Sequence, residues 1–161
     1  MYDKRYREIQ RRKYEAVLAN IPRTNKILDI GCGTGMLLSL LGGRAELVIG
    51  IDFSPEMLQK ARRRATGAPL VLADADHLPF IDGSFDVVVS ITLLQNMPNP
   101  AATLREFARV LKSNGTAIIT SLKYKHSPQQ LAAWAASANL KPLKVGGTSN
   151  GEDVICIARR E

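Results

Sequence analysis

The segment Ile27-Leu28-Asp29-Ile30-Gly31-Cys32-Gly33-Thr34-Gly35 constrains the fold more than any other part of the chain. Branched apolar residues run into three alternating glycines, the pattern of a buried β-strand entering a tight turn, and Met36 to Leu41 then reads as the start of a helix. Glycines at such a turn let backbone approach a ligand, and the first N–H groups of the helix face whatever lies there. The segment is therefore a nucleotide-type site. Its glycines at 31, 33 and 35 do not reproduce G-x-G-x-x-G, because the third comes one residue early, so a nicotinamide dinucleotide is disfavoured.

The rest of the chain alternates in the same manner. Residues 3 to 20 read as an amphipathic helix carrying Tyr6, Ile9, Val17 and Leu18 at helical intervals, stopped by Pro22. Strands are expected at 26–30, at 47–51 ending on Asp52, at 70–73, at 85–90 and at 116–120. Helices are expected from Pro55 to Arg64 behind Ser54, from Pro100 to Lys112 between Asn99 and Asn114-Gly115, and from about Ser127 to Asn139. A hairpin of 143–145 and 154–158, turning through Ser149-Asn150-Gly151, closes the chain. Five strands alternating with helices, then an antiparallel pair, imply a doubly wound α/β domain with a mostly parallel sheet covered on both faces. Residues 1–161 are expected to form one domain.

Composition narrows the class. With 45% hydrophobic residues, 23% charged residues and no low-complexity tract, the 161-residue chain is expected to be globular. The N-terminus lacks the apolar run of a signal peptide and no stretch reaches membrane-spanning length, so a cytoplasmic protein is expected. The two cysteines form no C-x-x-C pair and no histidine cluster accompanies them, so neither a metal site nor a disulfide is indicated. Cys32 suits a turn that needs a small side chain, and Cys156 reads as buried filler. Of the +7 net charge, much sits early: eight basic and three acidic residues fall within the first 26. Such a segment can steer a polyanion, or it is a solvated helix face.

With Asp29 two residues before the first glycine, the opening segment resembles motif I of the class I S-adenosylmethionine (SAM)-dependent methyltransferases. Further motifs follow in the family's order. Asp52 ends the second strand, where a carboxylate can accept both hydroxyl protons of a ribose. Ala73-Asp74-Ala75 with Leu78-Pro79-Phe80 resembles the segment whose acidic residue accepts from the adenine amino group. Phe53 would then lie against the adenine, or else belong to the core. Phe85-Asp86-Val87-Val88-Val89-Ser90, followed by Leu93-Leu94-Gln95-Asn96-Met97-Pro98, resembles the strand-four region of small-molecule and RNA methyltransferases.

Together these motifs, spanning 27 to 120, resemble a small single-domain methyltransferase of the ubiquinone/menaquinone-biosynthesis-like type. The resemblance implies a seven-stranded sheet whose last strand inserts antiparallel beside strand five. It also implies SAM as cofactor, S-adenosylhomocysteine as product and no metal. Asp29, Gly31, Cys32, Gly33 and Gly35 would surround the methionine half, and Ser90 would lie close to its amino group. Asp52, Phe53, Asp74 and Ala75 would surround the adenosine. Tyr2 or Tyr6 could close over the site, or simply pack the first helix.

The acceptor half is less marked. Ser90-Ile91-Thr92-Leu93 stands where many amine and exocyclic-base enzymes carry [N/D/S]-P-P-[Y/F/W], and neither the pyrimidine-C5 nucleophile pair nor the lysine-rich ribose-methylation tetrad is present. Gln95 and Asn96 can hydrogen-bond an acceptor, and His126 is a candidate general base or a helix-start surface histidine. The basic segment 1–22, read as a cap on the substrate side, points to a macromolecular acceptor, RNA ahead of protein. The alternatives are a small apolar acceptor enclosed by Leu93, Leu94 and the first helix, or a catalytically silent SAM-binding subunit. Pro69 to Leu72 would form an apolar sheet edge, open to strand addition by an activator subunit of the zinc-binding kind on which some similar methyltransferases depend.

Overall fold

Seven strands make one sheet in the order β3-β2-β1-β4-β5-β7-β6. The computed structural model describes residues 2–148 and 151–161, and the side chains of Tyr2 and Asp3, like Ser149 and Asn150 of the expected hairpin turn, lie outside the described residues. In chain order the elements are α1 (Tyr2–Leu18), β1 (Thr24–Ile30), α2 (Met36–Leu40), β2 (Ala45–Asp52), α3 (Pro55–Arg64), β3 (Leu70–Leu72), β4 (Phe85–Ser90), α4 (Pro100–Val110), β5 (Leu111–Leu122), α5 (Pro128–Ser137), β6 (Leu140–Gly147) and β7 (Asp153–Arg160). Strands β1 to β5 run parallel, while β7 lies antiparallel to both β5 and β6. This is the doubly wound α/β sheet that the alternation implied, with the last strand inserted antiparallel beside strand five as the resemblance implied. Among the described residues no helix is long and apolar enough to cross a membrane.

The strands alternate their apolar residues between two helical layers, as a sheet covered on both faces requires. Leu28, Ile30, Val88 and Ile119 pack on one side with Leu104 and Phe107 of α4 and Leu131 of α5. Ile27, Val89 and Ile118 pack on the other with Val17 of α1 and Leu37 of α2. The helix starts carry the expected chemistry. Ser54, Asn99 and Ser127 each accept a backbone N–H of the first turn, and each is followed by proline at the first helical position.

Most boundaries shift by one or two residues, and the largest departures from expectation lie at the α4–β5 junction and in the closing hairpin. Helix α4 ends at Val110 rather than Lys112, and Asn114-Gly115 is not its terminus. The chain enters β5 at Leu111, opposite Phe85, and regains register only at Thr116, opposite Val87. Residues 112–115 are therefore a bulge, with Asn114 at φ +65°. Its tightness requires glycine at 115, where a Cβ would stand 2.8 Å from the Lys112 carbonyl oxygen. The closing hairpin is also longer, because β6 begins at Leu140.

Candidate active site

The candidate cofactor residues Asp29, Asp52, Asp74 and Ser90 sit at or just past the carboxyl ends of β1 to β4, the end where open α/β sheets place their ligands. The turn after β1 is built of left-handed glycines, Gly31 at φ +75°, Gly33 at +54° and Gly35 at +82°. At Gly35 the conformation and the packing coincide, since a Cβ there would lie 2.9 Å from Ala61 Cα of α3. At Gly31 a Cβ would press on Leu93, 3.2 Å away. The turn is thus closed from both sides by elements that follow it in the chain.

Asp52 clamps this turn. One carboxylate oxygen accepts the Gly33 N–H at 2.9 Å and the other accepts the Ser54 N–H at 2.9 Å. A carboxylate has about four acceptor positions, so each oxygen keeps one for a ligand hydroxyl. Asp74 is held in the same style, accepting the Asp76 N–H at 2.9 Å.

Two clefts meet at Gly31. The first, about 340 Å³, is lined by Asp52, Phe53, Asp74, Ala75, Asn96 and Met97, among others. Phe53 is 78% exposed, so it forms a cleft wall rather than core. The second, about 390 Å³, is lined by Asp29, Cys32, Gly33 and Ile91, with Tyr6, Lys13 and Tyr14 of α1 above them and Glu152 and Asp153 at the start of β7.

Asp29 is the electrostatic centre of the second cleft. It is buried, its Oδ2 has no hydrogen-bond partner, and burial together with the Asp52 charge pushes its carboxyl up to about 7. The Ser90 hydroxyl at the end of β4 is likewise buried and unpartnered. Cys32 is no nucleophile here: burial and the two aspartates push its thiol up to about 12, well above neutral pH. Among the described residues no cluster of metal-ligating side chains is present.

The expected acceptor-side residues do not converge. Gln95 is engaged internally, donating to the Thr92 carbonyl oxygen and accepting from Ser121 Oγ. Asn96 lines the cleft of Asp52 and Asp74 instead of the one beside Asp29. His126 lines neither cleft; its Nδ1 lies 2.8 Å from Ser121 Oγ and its ring meets Trp134 edge-on. Burial, with Lys125 adding to it, lowers the His126 pKa. Sequence reasoning missed Lys13, Tyr14 and Thr92. Thr92 stands at φ +54°, a left-handed conformation rare for a β-branched residue, immediately beyond β4. Nothing local in the sequence announces that strain.

A doubly wound sheet with its last strand inverted and two clefts meeting over a glycine turn defines a class I, Rossmann-like transferase fold. The chain belongs to the methyltransferase domain family, whose model matches residues 28–119. It is 39% identical over 121 residues to an uncharacterised protein of Methanocaldococcus jannaschii, covering 74% of this chain and 46% of that one. It is 42% identical over 90 residues to a demethylmenaquinone methyltransferase of Corynebacterium kroppenstedtii, covering 56% of this chain and 38% of the other. Among solved structures it is similar to a chain from the complex between the Haloferax volcanii Trm112 methyltransferase activator and a methyltransferase, with TM-score 0.84, 20% identity, and coverage of 98% and 93% of the two chains. The chain spans about half the length of the curated relatives it matches.

Proposed function

We propose that the protein transfers a methyl group from SAM to a small acceptor with an apolar portion. The observation that carries the cofactor assignment is the pair of clefts joined at Gly31, one polar and acidic, the other offering two carboxylates and an aromatic wall. The residues fit the group. Asp29 Oδ2, in the cleft lining, is a buried polar atom without a hydrogen-bond partner, and an ammonium supplies the donor it lacks, whereas Ser90 is fully buried and lines neither cleft. Asp52 has acceptor capacity left for ribose hydroxyls, Asp74 for the adenine amino group, and Phe53 an exposed face for the ring.

When bound, SAM supplies a methyl group on a positively charged sulfur with a good leaving group. The protein's part is then to hold the acceptor in line and keep water out. Helix α1 walls the cleft with Tyr6, Lys13 and Tyr14, which supports reading the N-terminal helix as a cap on the substrate side. The Tyr14 phenol, pushed up to about 12 by burial and then by Asp29, stays protonated and serves as a hydrogen-bond donor at neutral pH. Gln95, fixed between Thr92 and Ser121, supports the loop over the glycine turn, and His126 acts through Ser121 rather than at the reacting centre.

An apolar groove of about 370 Å³ between α1 and α2 supports a small acceptor. Its walls include Leu18 and Leu40, and it continues into the Asp29 cleft through Tyr6, Gln10, Tyr14 and Met36, which line both. An RNA acceptor has less support. The cleft beside the glycine turn carries Asp29, Glu152 and Asp153, which repel phosphate, and Arg11 and Arg12 of α1 are already engaged by Glu8 and Glu15. A relative named for demethylmenaquinone is in keeping with an apolar acceptor. We extend the proposal to an activator subunit that adds a strand to β3, as a chain of similar fold stands in complex with one.

Labelled methyl transfer from SAM separates these readings. Incubation with total cell extract should place the label in the organic-soluble small-molecule fraction. Label in RNA or protein instead overturns the acceptor assignment, and normal SAM binding with no label anywhere identifies a silent cofactor-binding subunit.

A further inference from the structure

The segment after β4, residues 91–98, stands between the two clefts. Ile91 and Thr92 line the cleft beside Asp29, whereas Leu93, Asn96, Met97 and Pro98 line the one beside Asp52. Where the clefts meet, the Leu93 side chain covers Gly31, leaving only 3.2 Å to a Cβ placed there. A shift of this one wall therefore changes both halves of the site at once. Its shape is set at Thr92, whose φ of +54° is a conformation that a β-branched residue keeps only when its neighbours hold it.

The Thr92 N–H donates to Thr120 Oγ1 at 2.9 Å, and the Thr92 carbonyl oxygen accepts from Gln95 Nε2. The second bond fixes the polarity of everything behind it. A carbonyl oxygen only accepts, so the Gln95 amide must turn its nitrogen to Thr92 and its Oε1 away. That Oε1 meets Ser121 Oγ at 3.3 Å, and the fully buried Ser121 spends its single proton on it. Ser121 Oγ also lies 2.8 Å from His126 Nδ1, so this nitrogen must be the donor. The imidazole is steadied in turn by Trp134, edge-on with ring centroids 4.8 Å apart. One neutral tautomer of His126, with its proton on Nδ1, satisfies the whole chain of bonds. The other leaves Gln95 Oε1 facing an oxygen that has no proton to give.

We infer that His126 is a positioning residue: locked as the Nδ1–H tautomer, it holds the Thr92 carbonyl through Ser121 and Gln95, and so fixes the wall that the two clefts share. A histidine that lines neither cleft thus governs how tightly they close on a ligand it does not touch. Its effect on cofactor affinity rests on the cofactor reading given above, whereas the tautomer and the hold on Thr92 do not.

Long-range proton–nitrogen NMR correlation of the histidine rings at about pH 8, where the lowered His126 pKa keeps that ring neutral, reads the tautomer in the unliganded chain. Nδ1 should carry the proton and Nε2 should not. Substitutions follow the same polarity. Asn places an amide nitrogen where Nδ1 stands, while Gln carries it on to the Nε2 position, so His126→Asn should keep the chain of bonds and His126→Gln should break it. Ser121→Ala should break it too, with the loss of one oxygen and almost no volume, which guards against misfolding of the replacements at 126. Amide exchange at Thr92 should quicken about tenfold in the two broken variants and keep the wild-type rate in His126→Asn. In calorimetric titration, affinity for S-adenosylhomocysteine should fall about tenfold in the same two variants and hold in His126→Asn. An Nε2–H tautomer, or unchanged Thr92 exchange in Ser121→Ala, overturns the inference. Faster exchange with unchanged affinity overturns it as well, since the bonds would then be structural only. Failure of the wild type to bind S-adenosylhomocysteine, with Thr92 exchange responding as expected, overturns the cofactor reading instead.

Discussion

Asp29 occupies its proposed binding position at the expense of stability. Its carboxyl is pushed up to about 7, above the ordinary carboxylate value of about 4, so the folded chain holds that proton more tightly than the unfolded chain. Folding stability from this group is therefore present at low pH and declines as the pH rises from about 4 through about 7. Asp29→Asn should flatten that decline: the difference in melting temperature between variant and wild type should move in the variant's favour from pH 5 to pH 8. The same substitution should weaken binding of S-adenosylhomocysteine about tenfold or more, because the ammonium loses an ionised acceptor. Parallel melting profiles across that pH range would refute the first expectation. Asp29 was legible because it stands two places before a glycine triplet, a purely local signal. Lys13 was not, since one lysine in a basic run looks like its neighbours until the fold brings it to Thr92, 79 positions away.

Helix α4 performs an unexpected task at the scale of elements. Its Glu106 accepts the Leu78 N–H at 2.7 Å and pairs with Arg109. Arg109 donates to the carbonyl oxygens of Phe80 and Leu78 at 2.8 and 3.0 Å and meets Asp82 at 2.9 Å. One carboxylate and one guanidinium thus tie down the loop between β3 and β4, whose first residues, Ala73 to Asp76, form a wall of the cleft shared with Asp52 and Phe53. Arg109→Met keeps most of the side chain's bulk and removes these bonds together. It should lower stability by about 2–3 kcal/mol in denaturant unfolding, as lost bonds to a charged group do. Hydrogen exchange at His77, whose N–H bonds to Asp74, should rise with it. Unchanged exchange there would show that the loop is fixed by its own turn chemistry. The sequence marked this loop by Leu78-Pro79-Phe80 but not its anchor, because the pairing lies across a strand and a helix. The reverse error occurred at Asn114-Gly115, where the same dipeptide suits a helix end or a bulge and only the pairing of β5 with β4 selects the bulge.

The whole molecule is asymmetric about its sheet. At one edge β6 runs eight residues, whereas at the other β3 has only three, Leu70–Leu72, each pairing with β2 on one side and open on the other. Leu72 is 57% exposed and Ile81, in the loop that follows β3, is 82% exposed. A short apolar edge lacking a lysine is a template for strand addition. Such docking would reach the proposed cofactor site directly, because Phe53 and Asp74, on the turns after β2 and β3, line the cleft that also holds Asp52. The proposed activator would then raise activity by ordering these turns, and its effect would read out as tighter cofactor binding. Leu72→Asp places a charge on that edge at a residue that belongs to none of the buried clusters, so the isolated chain should unfold within about 0.5 kcal/mol of the wild type. Co-expressed with a small zinc-binding activator, the wild type should co-purify in equal amounts and bind S-adenosylhomocysteine more tightly than alone, and Leu72→Asp should do neither. A wild-type chain that is monodisperse, soluble and fully active alone would remove the need for the partner. The edge would then be protected by its shortness, since three residues present too few free backbone groups to nucleate pairing.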